Sequence, residues 1–430
     1  MVDIDFRLLP RPRSPIHGVK MIPVNADREP KYVSKLPRES SFVSRVDPIY
    51  SMSHFESTAL SFRPVEALRT YNGILPTNVI GKVDRHYLSA IDQSVPELYS
   101  YHSLLTMAAL AQFHTLTTAQ VAALLGISDT EAHRTLTRLF GAGILLRATL
   151  PLVFQSFLST RSEHVWRIAS VTNIRGFVQQ WLDGLTDTEY MLVTDGRDIS
   201  LGVTGSAGQY SFRHNLQMAE VAIRLYETSS KVAGVLGEQA SALRNLVPED
   251  KRGLSSSQRK KMRRENVGDA AVVGADGRII IFELTTIKNP RDVIRQKATF
   301  WTLALSMSKL DFYVVFVNTN PEHDRQAYRK HILAGIHDMH GRMGSPARMI
   351  KKGQERIFIS DAATHWFPMG NAVSPGLAHL ECYSPASLAY YQLLPDDLKW
   401  NDSVPVINAR GAITTPNWIV KEPSAMLESR

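Results

Sequence analysis

Two acidic residues in neighbouring β-rich segments form the part of this sequence best suited to chemistry. Asp269 begins Asp-Ala-Ala-Val-Val, and Glu283 lies in Ile-Ile-Ile-Phe-Glu-Leu-Thr. The Asp276-Gly277 pair between them favours a tight turn, which predicts a hairpin. A turn centred on Asp276 places Asp269 opposite Glu283, and Thr285 shares the face of Glu283. Facing carboxylates repel unless a cation compensates them, so the pattern predicts a divalent metal site.

A basic segment precedes this hairpin. Residues 251–264 contain seven Lys and Arg residues and no acidic residue. One interpretation is a loop that tracks a nucleic-acid backbone and brings it to the carboxylates. The alternative is a solvated insert. The candidate DNA-binding residues of this segment are Arg259, Lys260, Lys261, Arg263 and Arg264.

A second set of polar side chains lies on one face of a predicted helix. Thr117 with Gln120, and Ser128 with Glu131, form capping-box patterns, and Gly126 suits a left-handed turn between the two helices that they begin. This spacing is typical of a helix-turn-helix motif. The second helix buries Ala132, Leu136, Leu139 and Phe140. Its outer face presents donors suited to phosphates and base edges, namely Thr130, His133, Arg134, Thr137 and Arg138.

The segments after this motif predict a β-hairpin. Gly141-Ala142-Gly143 ends the helix, a strand begins at Ile144, and a second strand lies around residues 165–168. A preceding helix, the helix-turn-helix motif and a hairpin, in that order, resemble winged-helix DNA-binding domains over about 70 residues. Winged helices also serve as protein–protein modules, and any solvated helix has a polar outer face.

The carboxylates require a sheet to position them. Strands are predicted over residues 231–236, 269–273, 279–285 and 312–317, and a long helix begins at Asn289-Pro290. Ile294, Ala298, Trp301 and Leu305 form the buried stripe of that helix. A helical run after residue 213 precedes the first strand. The predicted order is helix, three strands, helix, strand.

This layout resembles the PD-(D/E)XK nuclease fold, a restriction-endonuclease-like αβββαβ core. With the upstream winged helix, it is similar to the replication-relaxation family of plasmid and mobile-element proteins. The matching features are Arg213-His214-Asn215-Leu216, the Gly268-Asp269 strand, the Glu283 strand and the helix bearing Lys297. The resemblance covers about residues 100–320. It implies Mg²⁺ held by Asp269 and Glu283, and phosphodiester chemistry on DNA.

The sequence departs from the family pattern at two positions. Thr285 stands where a lysine normally follows the glutamate by two residues, and Gly268 replaces a proline. Lys288 or Lys297 are candidates to supply the missing charge. Lys297 flanks the buried stripe, and the alternative for it is a surface lysine whose methylenes cover Trp301. These departures favour a second hypothesis, a non-catalytic DNA-binding replication initiator or regulator.

An acidic residue of the first helix often completes such a metal site. Glu220 fits that place, and Glu238 is an alternative. The competing interpretation is that Glu220 faces solvent and that His214 caps a helix or bonds locally.

The composition of the chain limits the classes of protein to which it can belong. The chain has 430 residues, 44% of them hydrophobic and 21% charged, and a formal net charge of +8, which is compatible with polyanion binding. Its single cysteine, Cys382, excludes an intrachain disulfide and a CxxC zinc site. We see no signal peptide, membrane-length apolar run, nucleophile elbow or Walker loop, and therefore expect a cytoplasmic protein without a nucleotide cofactor.

The expected fold class is a multidomain α+β or α/β protein. The predicted regions are a flexible basic arm over 1–45, an unassigned region over 46–95, a winged helix over 96–172, a nuclease-like domain over 173–340 and an irregular extension over 341–430. DNA is the expected partner, and a homodimer is left open. A third hypothesis treats the winged helix as an assembly surface for another protein.

Overall fold

The computed structural model of the chain describes residues 20–22, 101–149, 164–169, 212–238, 241, 268–285, 291–307, 312–319, 325–342, 347–366 and 374–399. Two compact units are present. The helical unit comprises Glu39–Ile223 and Pro405–Arg430, and the sheet unit comprises Met1–Arg38 and Arg224–Val404. The division between the units, at residues 223 and 224, falls within one helix, Phe212–Thr228.

The elements follow one another in chain order. They are β1 (Lys20–Ile22), α1 (Tyr101–Phe113), β2 (Leu116–Thr117), α2 (Thr118–Leu125), α3 (Asp129–Gly141), β3 (Leu145–Thr149), β4 (His164–Ile168), α4 (Phe212–Thr228), β5 (Val232–Gly237), β6 (Ala270–Gly274), β7 (Ile279–Thr285), α5 (Arg291–Met307), β8 (Phe312–Asn318), α6 (Arg325–Arg342), α7 (Ala347–Gln354), β9 (Ile357–Asp361), a π-helical turn (Ala362–Trp366), α8 (Pro375–Ala378), β10 (Glu381–Ser384) and β11 (Ala389–Gln392). Helices and a mixed sheet confirm the α+β class.

Local capping chemistry sets the ends of α2 and α3. The Thr117 hydroxyl accepts from the Gln120 amide, and the Gln120 side chain accepts from the Thr117 amide, so the predicted capping box is present. Gly126 ends α2 with φ 72°, a conformation in which a Cβ would be strained. Ser128 then caps α3 by accepting from the Glu131 amide. The predicted helix-turn-helix spacing therefore follows from these side chains.

Behind α3, a three-stranded sheet closes the core of the helical unit. The strands lie in the order β2-β4-β3, and β3 pairs antiparallel with β4, from Leu145 opposite Ile168 to Thr149 opposite His164. Trp166 of β4 is fully buried and donates to the Thr118 hydroxyl at 2.9 Å. The predicted buried stripe of α3 is confirmed, with Ala132, Leu136, Leu139 and Phe140 in the core.

The sheet unit contains eight strands in the order β1-β11-β10-β9-β8-β7-β6-β5. Strands β7, β8 and β9 are parallel, and the other pairs are antiparallel. The predicted β6–β7 hairpin is confirmed, because Ala270 faces Phe282 and the Gly277 amide donates to the Gly274 carbonyl at 2.9 Å. All seven residues of β8 are buried, as expected for a central strand.

Helices α5 and α6 cover one face of this sheet, which we call the helix-covered face. Trp301 of α5 packs there in one hydrophobic cluster with Ile281, Phe316 and Ile359 from three adjacent strands. The helices approach closely, since a Cβ at Gly335 of α6 would overlap backbone atoms of α5. Thr299 also donates to the Gly335 carbonyl at 2.7 Å. This packing fixes how α5 presents its side chains to the strands.

Two regions differ from the expectations for the ends of the chain. Residues after 340 do not form an irregular extension in the part described, because β9 pairs with β8 and leads on to β10 and β11. These strands are only four or five residues long, too short for a clear periodic signal. Lys20–Ile22, within the expected flexible arm, pairs with β11 as an edge strand. The rest of the arm and residues 46–95 lie outside the described residues.

None of the described helices combines the length and the apolar character needed to cross a membrane.

Candidate active site

The β6–β7 hairpin brings Asp269 and Glu283 together. Asp269 immediately precedes β6, and its amide donates at 2.8 Å to the carbonyl of Phe282, the residue that Ala270 already faces, so the regular pairing ends at Ala270. Its carboxylate oxygen Oδ2 accepts from the Leu284 amide at 2.5 Å. Just before it, the carbonyl of Gly268 accepts from the Ser241 hydroxyl. The paired register ends before Asp269, so the predicted direct opposition of Asp269 and Glu283 stays a prediction, but the two carboxylates lie close enough for Asp269 to influence the pKa of Glu283. The backbone on both sides holds Asp269 in place.

Glu283 lies beneath α5 and is 1% exposed. Its Oε2 accepts from the ammonium of Lys297, and its Oε1 accepts from Trp301 Nε1 at 2.6 Å. Lys297 and Trp301 are one helical turn apart on α5, so both reach the same carboxylate. Of the two interpretations of Lys297, the structure supports the one in which it brings a charge to the site.

The ionisation states of Glu283 and Lys297 depend on each other and on the charge of Asp269. Burial raises the pKa of Glu283 to about 6, a rise that Lys297 opposes and Asp269 reinforces. Burial acts against the Lys297 ammonium, but the carboxylates of Glu283, Asp269 and Glu238 raise its pKa above the ordinary value. At neutral pH, therefore, Glu283 is ionised and Lys297 is protonated, and the two form an ion pair.

Thr285 does not take the place of the expected lysine. It is 1% exposed, and its hydroxyl lies 3.1 Å from the Val317 carbonyl and 2.6 Å from the Tyr328 hydroxyl. Because a hydroxyl has one hydrogen, Thr285 donates to Val317 and accepts from Tyr328. Burial and the nearby carboxylates raise the pKa of Tyr328. Thr285 thus joins β7 to β8 and α6 rather than facing solvent.

A row of polar residues ends the three parallel strands on the helix-covered face. Thr285 pairs with Asn318, and Asn318 with Asp361, and the Asn318 amide lies 3.5 Å from Asp361 Oδ1. The carboxyl ends of parallel strands are where open sheets bind ligands. Sequence reasoning missed Asn318 and Asp361, although each is the polar residue that ends an apolar strand. It also counted Trp301 as core alone.

The structure places the other candidate residues of the predicted metal site as follows. Glu238 follows β5 and lies near enough to influence Lys297. Glu220 lies on the part of α4 that belongs to the helical unit, and it is buried, which corrects the alternative that it faces solvent. Lys288 and the basic segment with Arg259, Lys260, Lys261, Arg263 and Arg264 lie outside the described residues.

The outer face of α3 is exposed, as the sequence predicts. Ring contacts hold His133 against β4, since it stacks on His164 with centroids 6.2 Å apart. Burial, aided by the charges of Arg147 and His133, lowers the pKa of His164 to about 4, so its ring is neutral at pH 7. The exposed residues of this face are Thr130, His133, Arg134, Thr137 and Arg138.

The donors at the hairpin fit a small divalent cation. Asp269 is half-buried, and its Oδ2 and both oxygens of Glu283 each have a second lone pair beyond the hydrogen bond described above. Within the described residues, no group of three or more His, Cys, Asp and Glu side chains is arranged to hold a metal ion. Mg²⁺ needs only one or two protein carboxylates, because water and substrate phosphates complete its shell.

Comparisons of the chain with protein-family models, with curated proteins and with solved structures find no match. The similarity to the replication-relaxation family therefore stays a prediction from the motifs. Function is inferred from the residues of the chain itself.

Proposed function

We propose that the chain is a DNA-binding protein whose sheet unit hydrolyses phosphodiester bonds with Mg²⁺. The single observation that carries this proposal is the position of Lys297. It reaches Glu283 from α5, beside Asp269, and so supplies the positive charge that Thr285 lacks. Two carboxylates and a lysine are the side chains that a metal-dependent nuclease of the PD-(D/E)XK type requires.

Each residue has a distinct task in this proposal. Asp269 and Glu283 would hold the ion, and a bound Mg²⁺ supplies a polarised phosphate and a water of lowered pKa. Trp301 and the Leu284 amide orient the two carboxylates before the substrate arrives. Lys297 places its charge where negative charge develops on the phosphate, and such preorganised charges are the largest catalytic contribution in many enzymes.

In this proposal, the helical unit binds the DNA. Its order of a helix, a helix-turn-helix motif and a hairpin supports a winged-helix fold, in which α3 enters the major groove. Arg134 and Arg138 on the exposed face of α3 provide charge for the phosphates. Plasmid or mobile-element replication or mobilisation is the process that we propose for such a protein.

Nicking of supercoiled plasmid tests the proposal. The wild-type chain is expected to convert the plasmid to open circles with Mg²⁺ and not with a chelator. Asp269→Asn and Glu283→Gln should abolish this conversion, and Lys297→Met should slow it on the order of 100-fold. Asp396→Asn is the matched control, because Asp396 is 83% exposed and lies outside the site. Equal nicking by wild type and Asp269→Asn would contradict a hydrolytic site.

A second candidate function is a non-catalytic DNA-binding replication initiator or regulator. It is favoured by the state of Glu283, whose two oxygens already accept hydrogen bonds from Lys297 and Trp301 in a buried setting. In that case the ion pair is structural. If this second function is correct, the wild-type chain should bind the plasmid without nicking it. Asp269→Asn should then bind DNA with the same affinity as the wild type.

A further inference from the structure

A cluster of aromatic rings and one arginine lies at the far side of the helix-covered face. Tyr383 of β10 pairs directly with Tyr390 of β11, and their rings are 5.5 Å apart at 67°. Arg329 of α6 lies over the Tyr383 ring, with its guanidinium carbon 3.7 Å from the centroid. It also donates from Nη2 to the Tyr390 hydroxyl at 2.9 Å. The Tyr383 ring and the Tyr390 hydroxyl therefore hold this guanidinium in one orientation.

Arg329 differs from two other arginines of the sheet unit, Arg278 and Arg295, because each of those forms an ion pair with a carboxylate. Arg278 is paired with Asp276, and Arg295 with Asp338. Among the described residues, no carboxylate forms an ion pair with Arg329. A half-buried guanidinium that is oriented, and that no described carboxylate neutralises, is suited to an incoming anion, and its fork of N–H groups matches two phosphate oxygens.

Glu381, the carboxylate two residues before Tyr383 on β10, bonds to other side chains. Glu381 is 6% exposed, and its Oε2 lies 3.3 Å from His365 Nε2. Its Oε1 accepts from Gln392 at 3.2 Å. His365 stacks on Tyr390 with centroids 5.5 Å apart. Glu381 is thus buried, and its two carboxylate oxygens contact His365 and Gln392.

The register of the sheet connects this cluster to the carboxylates. Glu283 pairs with Phe316, Phe316 with Ile359, and Ile359 with Tyr383, so all four side chains lie on the helix-covered face. Three strand spacings give a separation of about 14 Å. Duplex DNA advances about 3.4 Å per nucleotide, so this distance corresponds to roughly four nucleotides. Phe316 and Ile359 are buried along this line, so a strand that contacts both places runs over the surface and spans at least this number of nucleotides.

We propose that Arg329, oriented by Tyr383 and Tyr390, binds a backbone phosphate of the DNA strand that occupies the Asp269–Glu283 site. This inference rests on the proposed function, and it names a second point of contact for the substrate. The guanidinium binds and positions the strand, and it takes no part in the reaction at the scissile phosphate.

The salt dependence of DNA binding by the full chain tests this contact, measured with a chelator present so that the DNA stays intact. Loss of one phosphate contact lowers the slope of log affinity against log salt by about 0.9 for duplex DNA. Arg329→Met should show this change, equivalent to about a 3.5-fold smaller loss of affinity between 50 and 200 mM salt. Arg329→Lys should retain the slope, because it keeps the charge, but bind more weakly without the fork.

Arg295→Met is the matched control and should keep the wild-type slope, since Asp338 already neutralises Arg295. An unchanged slope in Arg329→Met overturns the inference. If that variant does not fold, Tyr390→Phe carries the test, because it keeps the ring and removes the hydroxyl that orients Arg329. Weaker DNA binding by Tyr390→Phe supports the contact, and wild-type affinity overturns it.

The two proposals fail separately in these measurements. Nicking by the wild type together with an unchanged Arg329→Met slope overturns the Arg329 contact alone. A reduced slope without any nicking overturns the nuclease function alone and leaves Arg329 as a DNA contact.

Discussion

Burial and three neighbouring side chains, those of Lys297, Asp269 and Trp301, set the pKa of the Glu283 carboxyl group. Burial favours its protonated form, whereas the Lys297 ammonium and the Trp301 indole favour the ionised form. The result is a pKa of about 6, which leaves the group ionised at pH 7 but near the point of protonation. The charge of this carboxylate therefore depends strongly on its lysine partner.

Removal of Lys297 should therefore change how stability varies with pH. In Lys297→Met, we expect the pKa of Glu283 to rise above 6, because the opposing positive charge is gone. The folded state then holds a proton that the unfolded state releases near pH 4.5, so stability is lost as pH rises through the folded pKa. Each further unit of pKa lowers the free energy of unfolding at pH 8 by about 1.4 kcal/mol.

Urea unfolding of the variant between pH 5 and pH 9 measures this effect. Lys330→Met, which removes an exposed lysine of α6, should follow the wild-type curve. Parallel curves for Lys297→Met and wild type would show that Lys297 does not hold Glu283 ionised.

Among the elements, α3 is determined mostly by local sequence. Its N-cap, its buried stripe and its exposed polar face all follow from residues within a few turns, and all three agree with the prediction. Element α5 is different. Its amphipathic pattern predicts a buried Trp301, but the pattern does not say that Trp301 and Lys297 share one carboxylate on another element. Helical spacing shows which residues share one face of a helix, but it does not show which residues of other elements that face contacts.

The exposed face of α3 should account for part of the salt dependence of DNA binding. Arg134→Ala removes one phosphate contact in the proposed docking, so the slope of log affinity against log salt should fall by about 0.9 on every DNA sequence tested. Fluorescence anisotropy across a salt series measures this slope. Arg295→Ala serves as the control, and a wild-type slope in Arg134→Ala would argue for α3 as a protein-binding surface instead.

The whole molecule depends on strands that come late in the chain. Strand β9 covers the edge of β8, and β10 and β11 continue the same sheet with the Tyr383–Tyr390 pair. A nuclease-like domain that stopped at residue 340 would leave the buried strand β8 as an open edge, and such edges promote aggregation.

Truncation distinguishes these two boundaries. A chain ending at Arg342 should aggregate on expression, because it lacks β9, β10 and β11 and exposes β8. A chain ending at Val404 retains every described strand and should stay folded. Light scattering and circular dichroism of the two products check this. A folded monomer ending at Arg342 would show that the later strands are dispensable.

Local chemistry in the sequence determined the α2–α3 turn and the hairpin centred on Asp276, which brings Asp269 near Glu283. Caps, tight turns and strand alternation act over a few residues, so they can be seen in the chain itself. Only the tertiary structure decided that Lys297 reaches Glu283, that Thr285 turns to Val317 and Tyr328, and that β9 to β11 complete the sheet. Those contacts join residues distant in sequence, and their geometry depends on how α5 and α6 pack on the sheet.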